Sequence, residues 1–306
     1  MERKLSKIEL NKIIKQINRM DLDTVDYDYI KSLFKKMTDG VMFVVQLRSG
    51  ADSLYHVRRT AGKKITSVEE ISAPPNSAVV NYQRCNPPGQ SRFYAASTRM
   101  TAIKESRCEV GEVIYIGQWI NKAAYPVSAA LSTNENAFNF ESKNHEDILY
   151  TYLDALFTRR VHATFSSDYK LTAALSEILM TNVPRNIDNV GEDGRVALKF
   201  PSTVNHGVDV HNTVMHPEFL ARNFDLMHVL ECRVVSALTG GLTIEVMDTA
   251  SHFNDGEILW TGNKNMLPRL LDNERRRLFI NDNGVARLVP IDFELDENFI
   301  LNFLND

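Results

Sequence analysis

Cysteine is scarce in this chain: three residues, Cys85, Cys108 and Cys232, are spread over 306 positions. They are too few and too scattered for a disulfide framework or a CxxC metal site, and their use fits a reducing cytoplasm. Neither sign of charge is in excess, with 35 Lys and Arg against 39 Asp and Glu. Such a balance gives no electrostatic footprint for nucleic acid. The nearest basic cluster, Arg275, Arg276 and Arg277, reads as a solvated helix face. Long apolar runs are missing too, and no segment approaches the roughly 20 apolar residues of a spanning helix. The opening stretch MERKLSKIELNKIIKQI mixes charge with apolar residues at helical spacing, which argues against a secretory leader. The expectation is a soluble cytoplasmic protein with neither a nucleic-acid nor a membrane partner.

What is present is the balance of a globular chain, with 43% hydrophobic and 24% charged residues. Leu10, Ile13, Ile14 and Ile17 follow the spacing of an amphipathic helix, and YDYIKSLFKKM from residue 27 reads as a second. Asp39-Gly40 breaks that pattern, so residues 1–40 read as a helical N-terminal extension, for packing or partner docking. From residue 41 to 235 short strands and helices alternate. VMFVVQL, LYHVRR, SRFYAA, EVIYIGQW and VALKFPST read as strands. HEDILYTYLDALFTR and YKLTAALSEILMTN read as helices, and Ser97 or Thr98 can cap the helix that carries Glu105. Residues 236–306 read as a β-rich extension, with Asn-Asp-Asn-Gly at 281–284 as a hairpin signal.

Three chemistries find little support. His206, His211 and His216 are spaced by five, whereas zinc ligands on one helix are spaced by three or four. No metal is expected. LTGGLT at 238–243 lacks the spacing and the lysine of a phosphate loop, and no GxSxG elbow is present.

One stretch remains unexplained by packing alone, RCNPPGQSRFYAASTRMTAIKES at 84–106. A Pro-Pro-Gly turn is stiff and lets its backbone approach another molecule closely. Arg84 and Asn86 flank it, and Arg84 offers a planar fork for phosphate or carboxylate. Tyr94 offers an aromatic face for a flat ring, and Glu105 sits on the helix that follows. A cation, an aromatic and a carboxylate on one scaffold suit a nucleotide with a scissile glycosidic bond. A surface Arg–Glu pair with Tyr94 in the core is the competing reading.

The order of motifs resembles the RES domain family, named for an arginine, a glutamate and a serine. The family signature is a GR-x-N-PPG turn, a Phe/Tyr-Tyr-x-Ala strand and a Thr-Ala-x-x-Glu helix. Here the chain reads QR-C-N-PPG, FYAA and TAIKE, and a later family Tyr-Pro-Ser strand end corresponds to LKFPS. The resemblance covers roughly residues 50–230. Carried over, the glutamate falls on Glu105, the tyrosine on Tyr94, the turn arginine on Arg84 and the serine on Ser202. The first-strand arginine falls on Arg58, with His56 beside it on the same strand face. Gln83 stands where the family has Gly, and Phe200 where it has Tyr.

The resemblance implies an α+β fold like that of ADP-ribosyltransferases, with mixed or antiparallel sheets and flanking helices. It implies an enzyme that takes NAD as substrate, with no resident cofactor, and cleaves the nicotinamide–ribose bond by hydrolysis or phosphorolysis. Glu105, Arg58 and Ser202 would be catalytic. Arg84, Tyr94, His56 and Asn86 would bind the nucleotide. An NAD-depleting toxin with an antitoxin partner is expected, and homo-oligomers are open. A protein ADP-ribosyltransferase and a non-catalytic nucleotide-binding module are the alternatives.

Overall fold

The structure is a computed structural model that describes residues 5–41, 43–47, 53–130, 145–159, 161, 163–183, 195–204, 210–238, 241–262, 276–280, 286–290, 293–295 and 300–303. The helices are α1 (Lys7–Ile17), α2 (Tyr27–Thr38), α3 (Arg99–Ser106), α4 (His145–Thr158), α5 (Lys170–Thr181) and α6 (Pro217–Asn223). The strands are β1 (Val44–Leu47), β2 (Ser53–Arg59), β3 (Phe93–Ala96), β4 (Val113–Asn121), β5 (Tyr125–Ala129), β6 (Ala197–Pro201), β7 (His211–Met215), β8 (Phe224–Leu238), β9 (Gly241–Ala250), β10 (Phe253–Asn254), β11 (Glu257–Ile258), β12 (Arg276–Ile280), β13 (Ala286–Pro290), β14 (Phe293–Leu295) and β15 (Ile300–Phe303).

The fold is α+β, built among the described residues on an eleven-stranded mixed sheet with flanking helices. The strand order is β1-β5-β6-β7-β3-β2-β4-β8-β9-β15-β14. Only β5 and β6 run parallel among these neighbours. Strand periodicity sends alternate residues to opposite faces. On β6, Leu198 and Phe200 join a helix-covered cluster, while Ala197 joins a second cluster with Phe93, Tyr115 and Tyr125. A third cluster places Met100 and Ile103 of α3 against Ile114, Ile116, Leu230 and Ile244.

Local chemistry accounts for the helix starts. Ser6 and Glu9 form a reciprocal capping box at α1, and Asp26 accepts from Tyr29 N at α2. Buried Ile30, Leu33, Phe34 and Met37 give α2 one apolar stripe. That stripe and Leu10 and Ile17 of α1 share a cluster with Leu149 and Phe157 of α4 and Leu175 of α5. Helices α1 and α2 therefore pack onto the sheet through its helix layer.

Two differences from the sequence reading concern the C-terminal third. The boundary expected after Val235 falls inside β8, which pairs with β4 on one side and β9 on the other. Arg276 and Arg277 lie in β12, not on a helix. Antiparallel pairing with β13 engages the backbone of that segment instead. Residues 281–284, like His206, Arg275 and most of the 183–195 connection, lie outside the described residues. Among those described, no helix is long and apolar enough to cross a membrane.

Phe34 is fully buried in the shared cluster. Phe34→Ala should cost about 3–5 kcal/mol in urea denaturation. A loss below about 1 kcal/mol would mean that the N-terminal helices contribute little to the core.

Candidate functional site

The segment between β2 and β3 is tied down by its own polar groups. Gln83 N donates to Asn86 O at 2.9 Å, and Gly89 N donates to Val79 O at 2.7 Å. Gly89 takes φ +76°, a left-handed backbone that glycine adopts without steric cost. Asn86 is completely buried, and its Nδ2 donates to Gln90 O at 2.7 Å. The Tyr94 hydroxyl donates to Asn86 Oδ1 and accepts from Cys85 N at 2.9 Å. Burial holds that phenol protonated well above its usual range. Asn86 thus shapes the turn from within and does not line the cleft described below. Tyr94 lines that cleft, while its hydroxyl is engaged by the turn.

Strand β3 leads into α3 through Ser97 and Thr98, and Thr98 is the cap, accepting from Thr101 N at 3.1 Å. Glu105 sits in the last turn of α3. Two side chains from distant strands meet it on one oxygen. Ser202 Oγ, just past β6, donates to Oε1 at 2.8 Å, and Asn212 Nδ2 of β7 donates to the same atom at 2.7 Å. Val204 N donates to Ser202 Oγ at 3.2 Å, which leaves the hydroxyl proton directed at Glu105. No partner for Glu105 Oε2 is found among the described residues.

Glu105 and Asn212 lie along a cleft of about 500 Å³, walled also by Tyr55, His56, Tyr94 and Phe200, while Ser202 is buried and does not line it. Its other lining residues include Arg84, Arg107, Tyr169 and Ser166. The cleft opens where β2 and β3 diverge, because they pair only at Tyr55 and Ala96. His56 Nδ1 bridges the gap to Tyr94 O at 2.6 Å. A carbonyl only accepts, so Nδ1 carries the proton and neutral His56 offers Nε2 as an acceptor. Nε2 is buried and has no partner among the described residues.

Arg58 is placed differently from expectation. It shares the His56 face of β2, as strand periodicity requires, but that face packs on the 3-10 turn Val68–Ile71. Its Nε donates to Glu70 O at 2.8 Å and its Nη2 to Ser72 O at 2.5 Å. It does not line the cleft. The α3 side of β2 carries Tyr55, Val57 and Arg59, and Arg59 reaches the carbonyls of Ser106 and Arg107. Arg84 lines the cleft, yet its Nη1 donates to Phe157 O and, at 3.3 Å, to Arg159 O. It thereby caps the carboxyl end of α4, where a cation suits the helix dipole. Phe200, at the position of a family tyrosine, is buried and stacked on Phe157 with centroids 5.2 Å apart.

Sequence reasoning missed Asn212, Tyr169 and Arg107. Asn212 stands opposite Phe200 on β6 and Ala96 on β3, so only the strand pairing reveals its reach to Glu105. His211 opens β7 and His216 caps α6. Arg84 lies 5.3 Å from the centroid of the Tyr169 ring. Chemically, the cleft offers an aromatic wall, two arginines and one oriented carboxylate, a set suited to an anionic ligand with a flat ring and a developing positive charge. No protein-family model, curated protein or solved structure matches this chain.

Two predictions follow from this geometry. Tyr94→Phe leaves Asn86 Oδ1 and the Cys85 N–H without that hydroxyl, and should cost about 1–3 kcal/mol in chemical denaturation. Burial, with the Arg58 charge in second place, lowers the His56 pKa from 6.5 to about 4. Between those values the unfolded chain binds a proton that the folded chain refuses, so stability falls as pH drops through that window. Urea midpoints should rise with pH from about 4 to 6.5, by at most about 1.4 kcal/mol per pH unit from this group. The dependence should be shallower in His56→Gln.

Proposed function

We propose that this protein consumes NAD, cleaving the bond between nicotinamide and ribose in the cleft at Glu105. The observation that carries the reading is the Glu105 carboxylate. One of its oxygens is held by Ser202 and Asn212, and it stands in a cleft with the Tyr94 ring and two arginines. The RES-like turn, strand and helix supply Arg84, Tyr94 and Glu105, and the LKFPS strand end supplies Ser202. The reading includes an ADP-ribosyltransferase-like arrangement of the sheet around the cleft. It also includes a cellular role as an NAD-depleting toxin restrained by an antitoxin protein.

In this mechanism the nicotinamide ring lies against Tyr94. As the C–N bond breaks, its electron pair moves to the pyridinium nitrogen, and nicotinamide leaves as a neutral molecule. No general acid is needed for that departure. Positive charge builds on the ribose, which becomes oxocarbenium-like. The nearby carboxylate stabilises it electrostatically, and Oε2 accepts a hydrogen bond from a ribose hydroxyl. Ser202 and Asn212 keep Oε1 in place, so the carboxylate does not reorganise during reaction. Water or phosphate then attacks the anomeric carbon and releases a proton, giving ADP-ribose or its phosphate ester.

Incubation of the pure protein with NAD should release nicotinamide, followed by chromatography with and without phosphate. Glu105→Gln should lower the rate by about 100-fold or more. Equal rates for the variant and the wild type would remove Glu105 from the mechanism. Label from NAD accumulating on a protein would identify a protein acceptor in place of water or phosphate.

A further inference from the structure

We infer that Arg107 is the cation that binds the anionic portion of a ligand in the cleft, presented there by a left-handed turn that Arg59 braces. This deepens the NAD reading and rests on it only for naming the anion as a pyrophosphate.

Arg58 donates to two backbone carbonyls outside the cleft, and Arg84 has Nη1 engaged at the end of α4. Arg107 stands apart from both. It lines the cleft, is exposed, and follows Glu105 by two positions. No hydrogen bond or ion pair to its guanidinium is found among the described residues. Glu105 is the one carboxylate among the described lining residues, so the charge there is weighted toward anion binding.

The backbone supplies an independent observation. Arg107 ends α3 with φ 52° and ψ 47°, a left-handed conformation in which a side chain is strained and glycine is not. Glycine would serve this cap better, yet an arginine occupies it. Arg59 holds the turn by donating from Nη1 to Ser106 O at 3.4 Å and Arg107 O at 3.3 Å. Its Nε meets Glu112 Oε1 at 2.6 Å, which anchors the brace to the start of β4. The left-handed turn projects the Arg107 side chain away from the path α3 would have followed. A guanidinium with its donors unengaged matches the paired oxygens of a phosphate or pyrophosphate.

The backbone conformation permits a clean test. Arg107→Gly removes the cation while suiting the left-handed turn, so its thermal midpoint should stay near or above that of the wild type. Arg107→Asn, also tolerant of that region, should behave the same way. Calorimetric titration of the full chain with inorganic pyrophosphate should show binding to the wild type. Both variants should bind about tenfold or more weakly, with adenosine affinity unchanged. Equal pyrophosphate affinity in the wild type and the folded variants would overturn the inference, as would no binding to the wild type. Nicotinamide release is scored separately. Arg107-dependent pyrophosphate binding without NAD cleavage would overturn the NAD reading and leave this inference standing.

Discussion

A carboxylate set into a partly buried cleft needs hydrogen-bond donors, and where those donors come from determines which parts of the chain must meet. For Glu105 they come from Ser202 and Asn212, 97 and 107 residues away in sequence. Bringing them to one oxygen requires β6, β7 and β3 to lie side by side with α3 packed beside them. The order of the sheet, the helices that cover it and the cleft beside β3 can all be read as consequences of that meeting. Oε1 is fixed by the protein, and Oε2 is left for whatever enters.

The cleft itself depends on a defect in the sheet. Strands β2 and β3 separate after a single pairing, and the gap is closed by His56 on one side and by the Asn86–Tyr94 lock on the other. Unpaired strand backbone inside a protein is costly unless side chains satisfy it. His56 does this as a neutral ring, and the buried turn polar groups do it through Asn86. Rigidity in the Pro-Pro-Gly segment therefore supports the opening beside it. The polar residues of that segment mostly shape the wall, while Tyr94 and Glu105 line the space.

Much of this was legible in the sequence because it is local. Helical periodicity located α1, α2, α4 and α5, LYHVRR and EVIYIGQW read as the strands β2 and β4, and Thr98 is a cap by its own chemistry. The Arg84–Glu105 segment carried its turn, strand and helix in order. The remainder depends on partners that a linear pattern does not contain. Period two puts His56 and Arg58 together but leaves open which face of β2 meets α3, and that face carries Arg59. Nothing local marks Asn212, since its reach to Glu105 exists only through the register of β7 with β3. Arg276 and Arg277 read as a helix face because three adjacent charges have no period, whereas pairing with β13 makes them strand residues.

The central claim is that NAD enters this cleft with its nicotinamide ribose against position 105. The most direct measurement is a crystal structure of the slowed Glu105→Gln variant soaked with NAD. The account predicts a ribose hydroxyl of the nicotinamide half within hydrogen-bond distance of the side chain at position 105, with the nicotinamide ring against Tyr94. An empty cleft at saturating NAD, or the adenine half lying at position 105, would contradict it.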